Sequence, residues 1–246
     1  ISLGTLGLVH FAHGSLFTFA AYAGWIVYEQ TGSYLVALVI GALLTCALGL
    51  AIERTLISRF YQRPHEDQIL LTFGLGIVIT EALRWQFGGV GKTMPVPELL
   101  SGALRVGPII YPEYRLAVFG IAALALLGCY LLLYPSRLGP IVRAAVEGTV
   151  MVRMLGLRAS RIRSMVFGLG VLAVGVAGVA LGPIVSIYPD VGARFMVHSF
   201  VVVVIGGLGS FPGAILGGFV AAQIQTLTSI LDPAYSDLML LHVKVI

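Results

Sequence analysis

The sequence predicts an all-α membrane protein, a polytopic bundle of transmembrane helices some of which are discontinuous, on three observations. Hydrophobic residues make up 58% of the 246 residues and charged residues only 11%, with a mean hydropathy of +0.98, far from the averages of soluble domains. Apolar runs close to the roughly 20 residues a spanning helix needs alternate with short polar loops, leaving room for about seven spans in a single transmembrane domain, 1–246. Glycine is abundant, at 31 residues, and twice clusters where an apolar run breaks.

The elements follow in order. Ile1 to Tyr28 is apolar but interrupted at His10, His13, Gly14 and Ser15, and it begins without methionine, so the natural N-terminus is expected to lie further upstream. Tyr34 to Ile52 is a clean span ending at Glu53 and Arg54, and Arg59 and Arg63 mark the next loop as cytoplasmic. Ile69 to Phe87 returns outward into Gly88 to Glu113, whose glycines and prolines read as an external loop. Leu116 to Tyr134 crosses inward, and Met165 to Ile187 crosses outward to a short loop carrying Pro189, Asp190 and Arg194. Met196 to Ile205 is too short to span alone and runs into the break Gly206 to Gly213. Ala214 to Leu231 completes a crossing, with Asp232 to Asp237 outside, and Leu238 to Ile246 begins a further helix that the sequence cuts off.

Charge fixes the orientation. The stretch Ser136 to Ser164 carries six arginines, at 137, 143, 153, 158, 161 and 163; with Arg54, Arg59 and Arg63 it places nine of the fifteen Lys and Arg residues on one side and six elsewhere. Short loops rich in such residues stay cytoplasmic. Within the stretch, Ile141, Ala145, Val152 and Leu155 share one helical stripe, while Arg143 and Glu147 form an i, i+4 pair away from it and Gly156 supplies a stop. A short amphipathic helix along the membrane is expected, suited to anionic lipid headgroups or to a partner protein.

The two breaks point to a path for solute. Gly206, Gly207, Gly209, Ser210 and Pro212 open the helical hydrogen-bond ladder at membrane depth, which is tolerated where protein or a water-filled cavity covers the freed groups. His10, His13, Gly14 and Ser15 form the corresponding interruption near the start, and paired interrupted segments mark transport sites. The spacings Gly209, Gly213, Gly217 and Gly178, Gly182 read as close helix packing. His198, beside Ser199 on an apolar run, reads as structural.

Other classes are excluded by what the residues lack. Gly91, Lys92 and Thr93 end like a phosphate-binding loop, but the required glycine is replaced by Gln86 and a span stands where a strand should be. No HExxH or GxSxG occurs, the five histidines have no metal-ligand spacing, and Cys46 and Cys129 both lie in apolar segments, so neither a metal site nor a disulfide framework is expected. The charge of +4 reflects loop arginines and not nucleic-acid binding. Glu81 and Arg84 are placed to pair at i, i+3 near the outer end of their span.

Three stretches, GLVHFAHGSLFTFAAYAGW, RAAVEGTVMVRMLGL and IGGLGSFPGAILGG, together resemble the permease subunits of branched-chain amino acid ABC importers, LivH type, over nearly the whole chain. His10 stands where that family's first motif carries Asn. The resemblance implies a type II importer permease fold in the bacterial inner membrane, lacking here a first helix and most of a last one. It implies no cofactor on this chain, with ATP and Mg on two cytoplasmic ATPase partners, a second permease of LivM type, and an external binding protein that delivers branched-chain or related amino acids. Arg143, Ala144, Ala145, Glu147, Leu155 and Gly156 then resemble the helix that couples to an ATPase, and transport would proceed by alternating access. A gradient-driven transporter or channel for small solutes such as amides or urea is the competing expectation, weakened by the scarcity of membrane-embedded carboxylates beyond Glu81.

Overall fold

The computed structural model describes residues 11–61, 63–106, 109–136, 139–140, 159–207 and 210–231. His10, the amphipathic stretch around Arg143 to Gly156, Gly209, and the segments Asp232 to Asp237 and Leu238 to Ile246 lie outside the described residues. Seven helices are described: α1 (Ala12–Thr31), α2 (Tyr34–Thr55), α3 (His65–Phe87), α4 (Glu113–Leu133), α5 (Ala159–Leu181), α6 (Val191–Gly206) and α7 (Phe211–Leu231). Four of them contain stretches long and apolar enough to cross a membrane, within Tyr34–Arg59, Glu66–Phe87, Glu113–Leu132 and Ser160–Leu181, and α6 with α7 adds a bent pair. The expected external loop contains a departure from all-α structure, an antiparallel hairpin of β1 (Ala103–Val106) and β2 (Ile109–Pro112).

Helix ends sit where local chemistry places them. α1 stops at Gly32, whose φ of 64° and amide bonded to the Tyr28 carbonyl at 2.8 Å make a left-handed cap that glycine adopts without a Cβ penalty. α3 begins directly after Pro64 and carries Glu66 and Asp67 in its first turn, where carboxylates suit the positive end of the helix. Met165 to Ile187 was the expected span, but α5 runs from Ala159 to Leu181. Gly182 precedes Pro183, and the residue before proline is pushed out of the helical region, so the helix ends early. Arg161 and Arg163 therefore belong to the first turns of α5, and Arg194, expected in a loop, belongs to α6.

α1 is the axis of the bundle. It packs against α2, α3, α5 and α6, and Ala12, Gly14, Leu16, Thr18, Ala20 and Ala21 on it are all buried. Small residues make this possible, because helices in lipid associate through close packing and not through expulsion of water. At one junction a Cβ on Gly24 would lie 2.7 Å from Val179 of α5, and one on Gly41 of α2 would lie 2.8 Å from the same side chain. Where the bundle reaches the outer surface, Tyr114 donates to the Ala180 carbonyl at 2.7 Å and sits 2.7 Å from the Tyr34 hydroxyl, joining α4, α5 and α2. Further along α4, Val118 and Ile121 pack partly buried against the core, and none of its apolar window is fully buried.

α6 and α7 form a separate bent pair, turning through 117° at the glycine break. At 16 residues α6 extends about 24 Å, short of the roughly 30 Å hydrocarbon core, in line with the sequence expectation. A Cβ on Gly217 would fall 2.8 Å from the Gly206 amide nitrogen, and one on Gly213 or Gly206 would overlap the other's carbonyl. Two of the three glycines in the expected packing series thus serve backbone contact between the arms.

Candidate translocation groove

Three helices open a polar groove in an otherwise apolar wall. α1, α3 and α6 surround a cavity of about 230 Å³ to which Phe11, Phe73, Ile77 and Met196 offer apolar surface and Ser15 and Thr80 offer hydroxyls. Ser15 donates to the Gly76 carbonyl at 2.8 Å and lies 3.0 Å from the Thr80 hydroxyl, so the two helices are joined at the floor of the groove. Gly76 stands eleven residues before Phe87, the last residue of α3, or about 16 Å along the helix axis. This junction therefore lies near the middle of α3, with Phe11 and Phe73 lining the groove on one side of it and Glu81 and Asp190 on the other.

Charge gathers at the outer mouth. Arg84 donates to Glu81 at 2.8 Å, as the i, i+3 spacing predicts, and also grips both Asp190 oxygens, at 2.9 and 2.7 Å. The Asp190 partnership, spanning 106 residues, was not legible in the sequence. Two carboxylates share one guanidinium, so the cluster holds both signs of charge, and its two acids, Glu81 and Asp190, line the groove. Its side chains are between 43% and 56% exposed, so solvent screens the pairs and they contribute little stability.

The two interruptions read from sequence have different fates. From Ala12 onward α1 is continuous through His13, Gly14 and Ser15. Gly14 and Ser15 line the groove, whereas His13 faces α5, its ring edge-on to Phe167 with centroids 5.9 Å apart. Gly14 also sets the position of α6: a Cβ on it would lie 2.7 Å from the Gly192 carbonyl oxygen. The Gly192 amide donates to Thr18 at 3.0 Å, and Thr18 in turn reaches the Gly14 carbonyl at 3.3 Å. Gly206, Gly207, Ser210 and Pro212 mark the α6–α7 bend, fourteen residues and about 21 Å along α6 from Gly192. Among the described residues, none of this second break lines the groove. His198, with Nδ1 2.8 Å from the Arg194 carbonyl, bonds back to its own helix.

At the inner end a second cluster, also missed from sequence, surrounds Glu53, which is only 1% exposed. Its carboxyl oxygens accept from Tyr61 at 3.1 Å and from Ser164 at 2.6 Å, tying α2, the following loop and α5 together. The Arg163 guanidinium lies 4.5 Å from the Tyr61 ring centroid. Burial above all, then the charge and hydrogen bond of Glu53, push the Tyr61 phenol above its ordinary value, against a smaller pull from Arg163.

A bundle of spanning helices with a partly polar groove between three of them is the architecture of a membrane permease. The chain belongs to the family described as branched-chain amino acid transport system permease component, which it matches over residues 1–246. It is 26% identical to the high-affinity branched-chain amino acid transport system permease protein LivH of Escherichia coli (strain K12), over 96% of this chain and 81% of that one. It is 25% identical, over the same shares, to the corresponding BraD protein of Pseudomonas aeruginosa. The probable LivH protein of Methanocaldococcus jannaschii is 24% identical over 98% of this chain and 78% of its own length. No solved structure matches the chain. Family membership makes this a transport subunit and not an enzyme, a multi-pass protein of the inner membrane that works with ATPase and binding-protein components. It also disfavours the gradient-driven transporter or channel that the sequence left open.

Proposed function

We propose that this chain is the LivH-type half of an importer for branched-chain or related amino acids, paired with a LivM-type permease and driven by two cytoplasmic ATPases that bind ATP and Mg, and that the groove between α1, α3 and α6 is its part of the path. The single observation that carries the path assignment is that one groove holds both the paired hydroxyls of Ser15 and Thr80 and, at one end, the carboxylates Glu81 and Asp190 bound to Arg84. Ionisable side chains in spanning segments mark substrate routes, and Glu81 of α3 lines this groove together with Asp190. The mixed mouth suits the ammonium and carboxylate of an amino acid delivered by an external binding protein, while Phe73, Ile77 and Met196 suit an aliphatic side chain. His10, His13 and the break Gly206, Gly207, Gly209, Ser210 and Pro212 remain assigned to the path or to the elements that move around it, the latter by repacking α6 against α7 during alternating access.

Ala193 lines the groove without bonding across it, so Ala193→Trp is a steric plug that spares the hydrogen bonds of the floor. Uptake by the assembled transporter in proteoliposomes is expected to fall roughly tenfold or more, with complex formation and basal ATPase activity retained. Uptake unchanged by the plug would remove the groove from the path.

Arg143, Ala144, Ala145, Glu147, Leu155 and Gly156 are assigned to the ATPase-coupling helix on their sequence pattern. Replacing Arg143 and Glu147 by alanine together is expected to weaken ATPase retention in pull-downs and to abolish ATP-driven uptake. Full assembly with full uptake in that double variant would sink the coupling assignment.

A further inference from the structure

At the cytoplasmic end, on the side of the bundle away from the groove, α2 and α5 with the end of α4 enclose an open cavity of about 900 Å³. Its two ends differ in chemistry. Arg54, Arg161 and Arg163, with Ser58 and Ser160, line the inner end, and Cys46, Leu50, Leu132, Leu169 and Leu172 line the remainder. Among the described residues Glu53 is the one acid lining it, and both its carboxyl oxygens are already occupied by Tyr61 and Ser164. The inner end therefore carries a surplus of positive charge. Arg163 has a buried Nε without a hydrogen-bond partner among the described residues, and a buried donor left in that state calls for an acceptor.

Length decides what kind of acceptor. Eight residues separate Cys46 from Arg54 and eleven separate Arg161 from Leu172, so the apolar wall runs about 12 to 16 Å along the helices from the basic end. That is about half the 30 Å hydrocarbon core, the depth of one leaflet. A free phosphate or a soluble anion would use the arginines and leave this wall bare. We propose that the cavity is a binding site for an anionic phospholipid of the cytoplasmic leaflet, its phosphate held by Arg54, Arg161 and Arg163 and one acyl chain lying along Leu50, Leu169 and Leu172. Basic pockets between helices at this face are suited to such headgroups. The lipid would bridge α2 and α5, and the site stands on its own geometry whether or not the coupling assignment holds.

The test uses the full-length permease in its assembled complex, reconstituted in nanodiscs of phosphatidylcholine with a minority of phosphatidylglycerol, then released into detergent and weighed by native mass spectrometry. Wild type is expected to retain phosphatidylglycerol in preference to phosphatidylcholine. Arg54→Gln with Arg161→Gln is expected to reduce that retention about 25-fold, at about fivefold for each charge removed from a membrane surface. Leu172→Trp, which fills the apolar wall and leaves the charges alone, is expected to reduce it as well, and supplies the answer should the arginine variant fail to assemble. Equal retention of the two lipids would overturn the proposal, as would unchanged phosphatidylglycerol in the variants. Displacement of the lipid by millimolar inorganic phosphate, with Leu172→Trp without effect, would overturn it in favour of a free-anion site. No retained lipid in wild type would likewise overturn it, and would leave the cavity to a partner subunit.

Discussion

Substituting valine for Gly192 is expected to leave little folded permease in the membrane. A Cβ at this position would overlap the carbonyl of Gly14 and fall 2.5 Å from the Thr18 hydroxyl, and backbone cannot swing aside as the tip of a side chain can. Relief would require α6 to move off α1, breaking the Gly192 amide bond to Thr18. Overpacking of this kind costs about 3 kcal/mol or more, a large share of a typical stability of about 5 to 15 kcal/mol. Membrane yield and the thermal melting of detergent-solubilised protein would measure it. Gly74 of α3 provides the control, since a Cβ there meets nothing within 4 Å, and Gly74→Ala is expected to match wild type. Equal yield and melting for the Gly192 variant would show that α6 is not fixed to α1 by this contact.

Removing the carboxyl at Glu53 is the second large effect. Glu53→Ala strands the Tyr61 and Ser164 hydroxyls and opens a hole in a site that is 1% exposed. Each buried donor left without an acceptor costs about 1 to 3 kcal/mol, so a loss of about 2 to 4 kcal/mol is expected, read as a fall in melting temperature of the reconstituted protein. Glu53→Gln, which keeps an acceptor oxygen, is expected to lose less than half as much. The phenol gives this link a pH signature. Its folded value lies above its ordinary value of 10, so its contribution is fully present below about pH 10 and is lost as the pH rises from there toward the folded value. The Tyr61→Phe variant is expected to lack that alkaline loss. Equal melting of wild type and Glu53→Ala would mean that α2 and α5 are held together without the cluster.

Single-chain patterns told the helices apart but not their partners. The spans were legible because each is bounded by charge, glycine or proline: Glu53 and Arg54 close one, Gly88 closes another and Pro135 follows a third. The early end of α5 was missed because Pro183 lies inside an apolar run and interrupts no hydropathy signal. Ser15 was singled out as a break in hydrophobicity, yet its meeting with Gly76 and Thr80 depends on how α1 lies across α3, which no local spacing encodes. Asp190 looked like an ordinary loop acid until packing brought Arg84 to it. Glu53 read as the polar end of a helix, and only the return of α5 with Ser164 made it interior. Glycine gave the opposite kind of signal. Its spacing at Gly213 and Gly217 announced close approach, but the surface approached, Gly206 and Val202, emerged only from the fold.

The meeting of Gly14 with Gly192, and of Gly206 with Gly213, bears on how such a bundle can change over generations. When a large side chain packs against a small one, an exchange of sizes can preserve the volume between them, and the two positions can drift together. A glycine facing a glycine has nothing left to give up, so no change at one can make room for a change at the other. These contacts are expected to stay fixed without leaving correlated substitutions behind. The joints that set α6 against α1 and against α7 would then be silent in any map built from paired variation, and visible only in coordinates.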